Sequence, residues 1–155
     1  MQYIKNGNFS DGFNDWQGQP NFDPEFKPYG DGNSVRLPIA TSISQTVPDL
    51  PGRNMRIKFD VKSADSQMKE VTFAVSVGGF NADGVAQVSP MFGVATQDWQ
   101  QFSMVAYFSQ DLTHCFVNAS TSRPADAVKG GPSPALSLIG PVRFGNFSLV
   151  EAEPS

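Results

Sequence analysis

The chain carries a single cysteine, Cys115, which excludes an internal disulfide. Its setting, His114-Cys115-Phe116-Val117-Asn118-Ala119-Ser120, reads as buried packing rather than a nucleophile, since free cysteine favours the interior. Charge is scarce: 17% of residues, eleven basic against fifteen acidic, for a net charge of -4. No contiguous basic stripe exists. Phosphate neutralisation needs clustered Lys and Arg, so no nucleic-acid partner is expected. No apolar run approaches the roughly 20 residues of a membrane helix, and no membrane insertion is expected. The opening Met1–Phe13 lacks an apolar stretch and a small-residue cleavage site. A chain that begins this way is expected to be cytoplasmic, exported by a non-classical route, or excised from a secreted protein.

Groups for catalysis are equally thin. His114 is the only histidine and reads as a surface or capping residue at a strand start. No phosphate-cradling glycine loop, dinucleotide fingerprint or metal-spaced Cys/His set is present. Carboxylate pairs occur at Asp23 and Glu25 and at Glu151 and Glu153. One pair sits in a turn and the other in a tail, where neither gains the desolvation that raises an acid's pKa. The chain is not expected to be an enzyme.

What the sequence does have is phenylalanine, glycine and proline: 13, 14 and 12 of 155 residues. That load suits many short strands joined by tight turns. Met55, Ile57, Phe59 and Val61 alternate with Arg56, Lys58, Asp60 and Lys62, giving one apolar and one wet face. Val71 to Val77, Phe102 to Tyr107, Cys115 to Ser120 and Asn146 to Leu149 repeat the pattern, and 34–40, 42–47 and 87–95 are further candidates. The period predicts an all-β, two-sheet antiparallel β-sandwich (jelly roll) of eight or nine strands over 1–151, with 152–155 as a tail. Phe59, Phe73, Val75, Phe102 and Phe147 are expected in its core. Only Ser63–Glu70 has room for a helical turn. Residues 17–33 and 121–136 fall outside the ladder and read as long loops, where binding usually resides on a β scaffold.

Four stretches carry a resemblance. Asn6 to Trp16 (NGNFSDGFNDW), Ser42 to Ser63, Trp99 to Tyr107 (WQQFSMVAY) and Val142 to Glu151 (VRFGNFSLVE) occur in the order of the motifs of family 4/9 type carbohydrate-binding modules. The chain resembles that galactose-binding-like group over nearly its whole length. The resemblance implies a non-catalytic, lectin-like jelly roll of the kind attached to bacterial glycoside-degrading enzymes, commonly with a structural calcium. Two departures weaken the metal. Ser10 and Gly145 stand where the family places carboxylates, and calcium prefers six to eight oxygens, charged ones included. Asp11 and Asn146 are the neighbouring candidates for metal ligands. No cofactor is expected, with structural calcium only a weak alternative.

The expected partner is a glycan or glycosylated surface. Aromatic rings offer sugars an apolar face with a polar rim. The resemblance implies that Trp16 and Trp99 pack under the sheets, so the candidate binding residues are Phe26, Tyr29 and Asp31 in the first loop, Phe80 after Gly78-Gly79, and Tyr107. Two other classes stay open. One is receptor recognition or adhesion, as in a phage tail accessory domain or bacterial toxin component. The other is a structural self-assembling domain, a homo-oligomer.

Overall fold

Period-two alternation governs both layers of the computed structural model, which describes residues 2–122 and 138–152. The first five strands are β1 (Gln17–Gly18), β2 (Glu25–Tyr29), β3 (Gly32–Leu37), β4 (Ser42–Val47) and β5 (Asn54–Ser63). They are followed by β6 (Glu70–Phe80), β7 (Ala86–Thr96), β8 (Gln100–Tyr107), β9 (Thr113–Thr121) and β10 (Val142–Glu151). Two five-stranded sheets result, ordered β1-β4-β9-β6-β7 and β2-β3-β10-β5-β8, with every pairing antiparallel. This is a jelly-roll β-sandwich, with no α-helix among the described residues. Ser63–Glu70 forms a turn instead of a helix. The expected 121–136 loop, beyond Thr121 and Ser122, and the tail beyond Ala152 lie outside the described residues.

The inner faces meet in a phenylalanine cluster. Phe59 is fully buried and packs edge-on against Phe73 of the other sheet at 5.6 Å. Within its own sheet it meets Phe102, Phe144 and Phe147 at 5.9, 5.9 and 5.6 Å. The ends of the sandwich are closed by chain outside the ladder. Asn6 organises the first turn: its Nδ2 donates to the carbonyls of Gly12 and Asn14, and its carbonyl accepts from Trp16 Nε1. Trp16 is thereby buried against Phe9 and Phe147. A Cβ at Gly7 would collide with the Phe147 carbonyl oxygen, so the close approach of turn and strand requires glycine.

One segment departs from expectation. Residues 17–33 are not a free loop: Glu25–Tyr29 pairs with β3 through a tight turn at Gly30 (φ 56°) and Asp31. Pro24 and Pro28 obscure the strand in the sequence. β2 is an edge strand, where a missing N–H is tolerated. The β7 edge of the other sheet carries Pro90 in the same way.

Removing the central ring tests this core. Phe59→Ala is expected to cost about 3–5 kcal/mol through lost burial plus an inter-sheet cavity, read as a large drop in melting temperature or denaturant midpoint.

Candidate functional site

The two outer faces differ sharply in charge. On the β6-bearing sheet, the outward positions of β4, β9, β6 and β7 are mostly Ser, Thr, Ala and Asn, with Phe116, Val88, Pro90 and Phe92. The opposite face carries Lys27, Arg36, Arg56, Lys58, Lys62 and Arg143 against the carboxylates of Glu25 and Asp60. No basic stripe is contiguous in the chain. Alternation and cross-strand register assemble one, with Arg36 opposite Arg143 and Arg143 opposite Lys62.

Asp60 is the polar node of this face. Though it points away from the core it is only 9% exposed. A buried carboxylate needs donors, and its Oδ2 accepts from Tyr29 Oη at 2.8 Å and Asn146 Nδ2 at 2.9 Å. Asn146 can reach it because β10 bulges there. One extra residue separates the Gly145–Asp60 and Ser148–Lys58 pairs, and Asn146 takes positive φ (51°), which asparagine tolerates. Tyr29 lies over Gly145. A Cβ at 145 would stand 3.0 Å from Tyr29 Cδ2, so a larger side chain there would displace the ring. Burial first, then the Asp60 hydrogen bond and charge, push the Tyr29 hydroxyl up to about 12.

Held this way, Tyr29 stacks on Trp99 with ring centroids 4.0 Å apart and planes 24° from parallel. Trp99 lies in the connection between β7 and β8 and forms part of the wall of an open groove of about 390 Å³. Lys27, Ser34, Lys62 and Arg143 supply the groove's sheet side, and Ala64, Asp65, Ser66 and Gln97 come from the loops at its end. Lys62 Nζ stands 5.9 Å from the Trp99 ring centroid. Arg143 is almost wholly buried and donates to Glu25 Oε1 at 2.7 Å and Ser34 Oγ at 3.4 Å. Its desolvated charge is therefore compensated within the protein.

The residues singled out from sequence do not converge. Tyr29 belongs to this face, and Asp31 is exposed at the hairpin tip two residues on. Phe26 turns inward opposite Val35 and packs 6.1 Å from Phe9, because its register puts it on the core side of β2. Phe80 (41% exposed) and Tyr107 (75% exposed) lie at the far end of the sandwich, on different sheets. Asp11 caps its own turn, bonded to Asn14 through Oδ2 and to Asn6 through its backbone N–H. Asn146 is engaged with Asp60. Among the described residues no group of three or more His, Cys, Asp or Glu is placed to hold a metal. Trp99, expected under the sheets, stands outside them. None of the residues lining the groove, Trp99, Lys62, Lys27 and Arg143 among them, was selected from sequence. The Lys58, Asp60, Lys62 alternation was the available signal for one strand of the face.

No family model matches the sequence, and neither does any curated protein. Solved structures do match the fold. The CBM22-1 xylan-binding domain from Paenibacillus barcinonensis Xyn10C superposes with a TM-score of 0.67, covering 100% of this chain and 95% of its own, at 11% identity. A family 16 carbohydrate-binding module gives 0.67, covering 96% and 99%, at 16% identity. The enzymatically active domain of bacteriophage CBA120 tailspike protein 4 gives 0.64 at 13% identity; 98% of this chain is covered, but the chain spans only 22% of that one. At such identities the likeness is one of fold. The jelly-roll sandwich is shared with these proteins, and the two carbohydrate-binding modules among them are of families 22 and 16 rather than the 4/9 type.

The Tyr29 environment makes a pH prediction. Its hydroxyl is raised from the ordinary 10.0 to about 12, so the protonated form is favoured by folding. That contribution is fully present below about pH 10 and is lost as pH rises through about 12. Alkaline titration of tyrosinate absorbance is expected to show a component near 12 that Tyr29→Phe removes. The variant's stability should fall less steeply than wild type over the same window.

Proposed function

We propose that this chain is a non-catalytic module that binds carbohydrate in the groove on the outer face of the β2-β3-β10-β5-β8 sheet. The observation that carries the reading is the stacked Tyr29–Trp99 pair standing beside hydrogen-bonding side chains on a concave surface. Sugars present C–H faces to aromatic rings and hydroxyls to polar neighbours, and this wall supplies both. The pair is held in place before any ligand arrives, through Asp60 and Gly145, so little ordering entropy is lost on binding. Two fold counterparts are described as xylan-binding and carbohydrate-binding, which supports the reading. Asp65 is the only carboxylate among the groove residues. A glycosidase site needs two at a set separation, so binding without hydrolysis is the chemistry the groove offers.

A second reading has one observation behind it. The β7 edge strand exposes Phe92 (77%) and, on the same outward side, Val88 (48%). Unpaired edges with apolar side chains favour strand-to-strand association. Assembly through β7 predicts a concentration-dependent dimer in light scattering that Phe92→Lys dissolves.

Two measurements test the main reading. Trp99→Ala is expected to weaken binding to an immobilised xylan or glycan panel by about 1–3 kcal/mol, the scale of a central aromatic contact, with melting nearly unchanged. Phe80→Ala and Tyr107→Ala are expected to leave binding intact; loss of binding in either would move the site to the far end of the sandwich. Calcium is the other axis. Asp11 and Asn146 are engaged in internal hydrogen bonds, so saturating calcium is expected to add far less than the roughly 2.7 kcal/mol given by a ligand at 100 times its dissociation constant. A thermal scan with calcium against chelator reads this directly.

A further inference from the structure

The charge of the groove singles out a class of saccharide. Six of the chain's eleven basic residues stand on this one sheet face, in a protein whose net charge is -4. Three carboxylates, Glu25, Asp60 and Asp65, stand nearby against those six cations. Glu25 is paired with Arg143, Asp60 accepts from Tyr29 and Asn146, and Asp65 Oδ1 accepts from the Gln67 N–H. Arg143 is committed to Glu25 and Ser34. The face keeps a surplus of positive charge, and at the groove the Lys27 and Lys62 ammonium groups make no ion pair among the described residues. Concave walls focus the field of such a surplus. An anion entering the groove is attracted by that field, whereas a neutral sugar gains nothing from it.

We propose that the groove is selective for anionic saccharides, those bearing carboxylate or sulfate groups, with the sugar ring against Trp99 and the anion held by Lys62 and Lys27. This rests on the reading of the groove as a saccharide site. The geometry fits the division of labour. Lys62 Nζ lies over the Trp99 ring, 5.9 Å from its centroid, so a saccharide that reaches that ring meets the ammonium as well. Lysine is a compact point charge on a flexible stem, suited to anions whose position varies along a polymer. The strands of the other sheet carry no Lys or Arg, so its outer face offers no such pairing.

Calorimetry or affinity electrophoresis with defined probes tests the proposal on the full chain. Oligogalacturonate carries only carboxylates and dextran sulfate only sulfates; carboxyl-reduced oligomer and plain dextran are their neutral counterparts. At least one anionic probe is expected to bind ten-fold or more tightly than its neutral counterpart in 50 mM salt. Which one does so identifies the anion. The preference should shrink strongly in 500 mM salt, as screening requires, and in a Lys27→Gln/Lys62→Gln double variant whose melting confirms that it folds. Equal binding of charged and neutral probes, unaffected by the double substitution, overturns the anion selectivity and leaves the groove a saccharide site. Anion binding that survives Trp99→Ala overturns the groove reading as well. Single-stranded DNA retained as tightly as the anionic saccharides at the same salt would show a phosphate-backbone surface instead and also overturn the proposal.

Discussion

Phe59 packs against four other phenylalanines, and the arrangement of everything outside the core depends on that contact. Phe73 reaches it from one sheet, while Phe102, Phe144 and Phe147 surround it in its own. Phe73 meets Phe59 edge-on, Phe144 at a tilt, and Phe102 and Phe147 in near-parallel stacks, which together fill the space between sheets. Once these rings occupy the interior, each inward position of β5, β8 and β10 is spoken for. Their alternate residues must then face outward together. Arg56, Lys58, Asp60 and Lys62 are brought beside Arg143 by the same pleat that buries Ile57, Phe59 and Val61.

From that core a short mechanical chain leads to the groove. Asp60 follows Phe59 directly and is covered as it emerges on the other side of the sheet. Its hydrogen bonds orient Tyr29, Tyr29 stacks on Trp99, and Trp99 forms the wall. Gly145 permits the ring to settle onto the sheet, and the Asn146 bulge aims a second donor at the same carboxylate oxygen. The bulge has a further effect. Phe144 and Phe147 are three residues apart, so strict alternation would turn one of them outward. The extra residue lets both enter the core. The position at which the resembled family carries a carboxylate is thus occupied here by an aromatic lid.

Long strands of regular period were legible. Met55–Val61, Val71–Val77 and the β9 run were read correctly because each has one apolar and one wet face, which no helical register explains. β2 was missed because Pro24, Pro28 and Gly30 punctuate it and because an edge strand needs only one partner. On this face, Tyr29 was selected for its loop rather than for its neighbours. Trp99 was assigned to the interior because the family resemblance implies that it packs under the sheets. Its stacking partner lies seventy residues earlier, a separation along which periodicity carries no information. Phe26 and Tyr29 look alike in sequence, yet register sends one into the core and leaves the other on the surface.

By itself, then, the order of residues determined the long regular strands and which of their faces is apolar, because both are properties of neighbours two positions apart. Composition alone also settled the lone cysteine and its lack of a disulfide partner. Tertiary structure decided which strands stand side by side, and with that the two features that matter for binding. Lys27, Arg36, Lys62 and Arg143 come from four separate strands or strand ends and form one charged face only when β2, β3, β10 and β5 are laid in that order. Tyr29 and Trp99 form one aromatic wall only when a bulge, a glycine and a buried carboxylate hold the ring down. Such contacts depend on cross-strand register and on close packing between distant segments, and local sequence encodes neither.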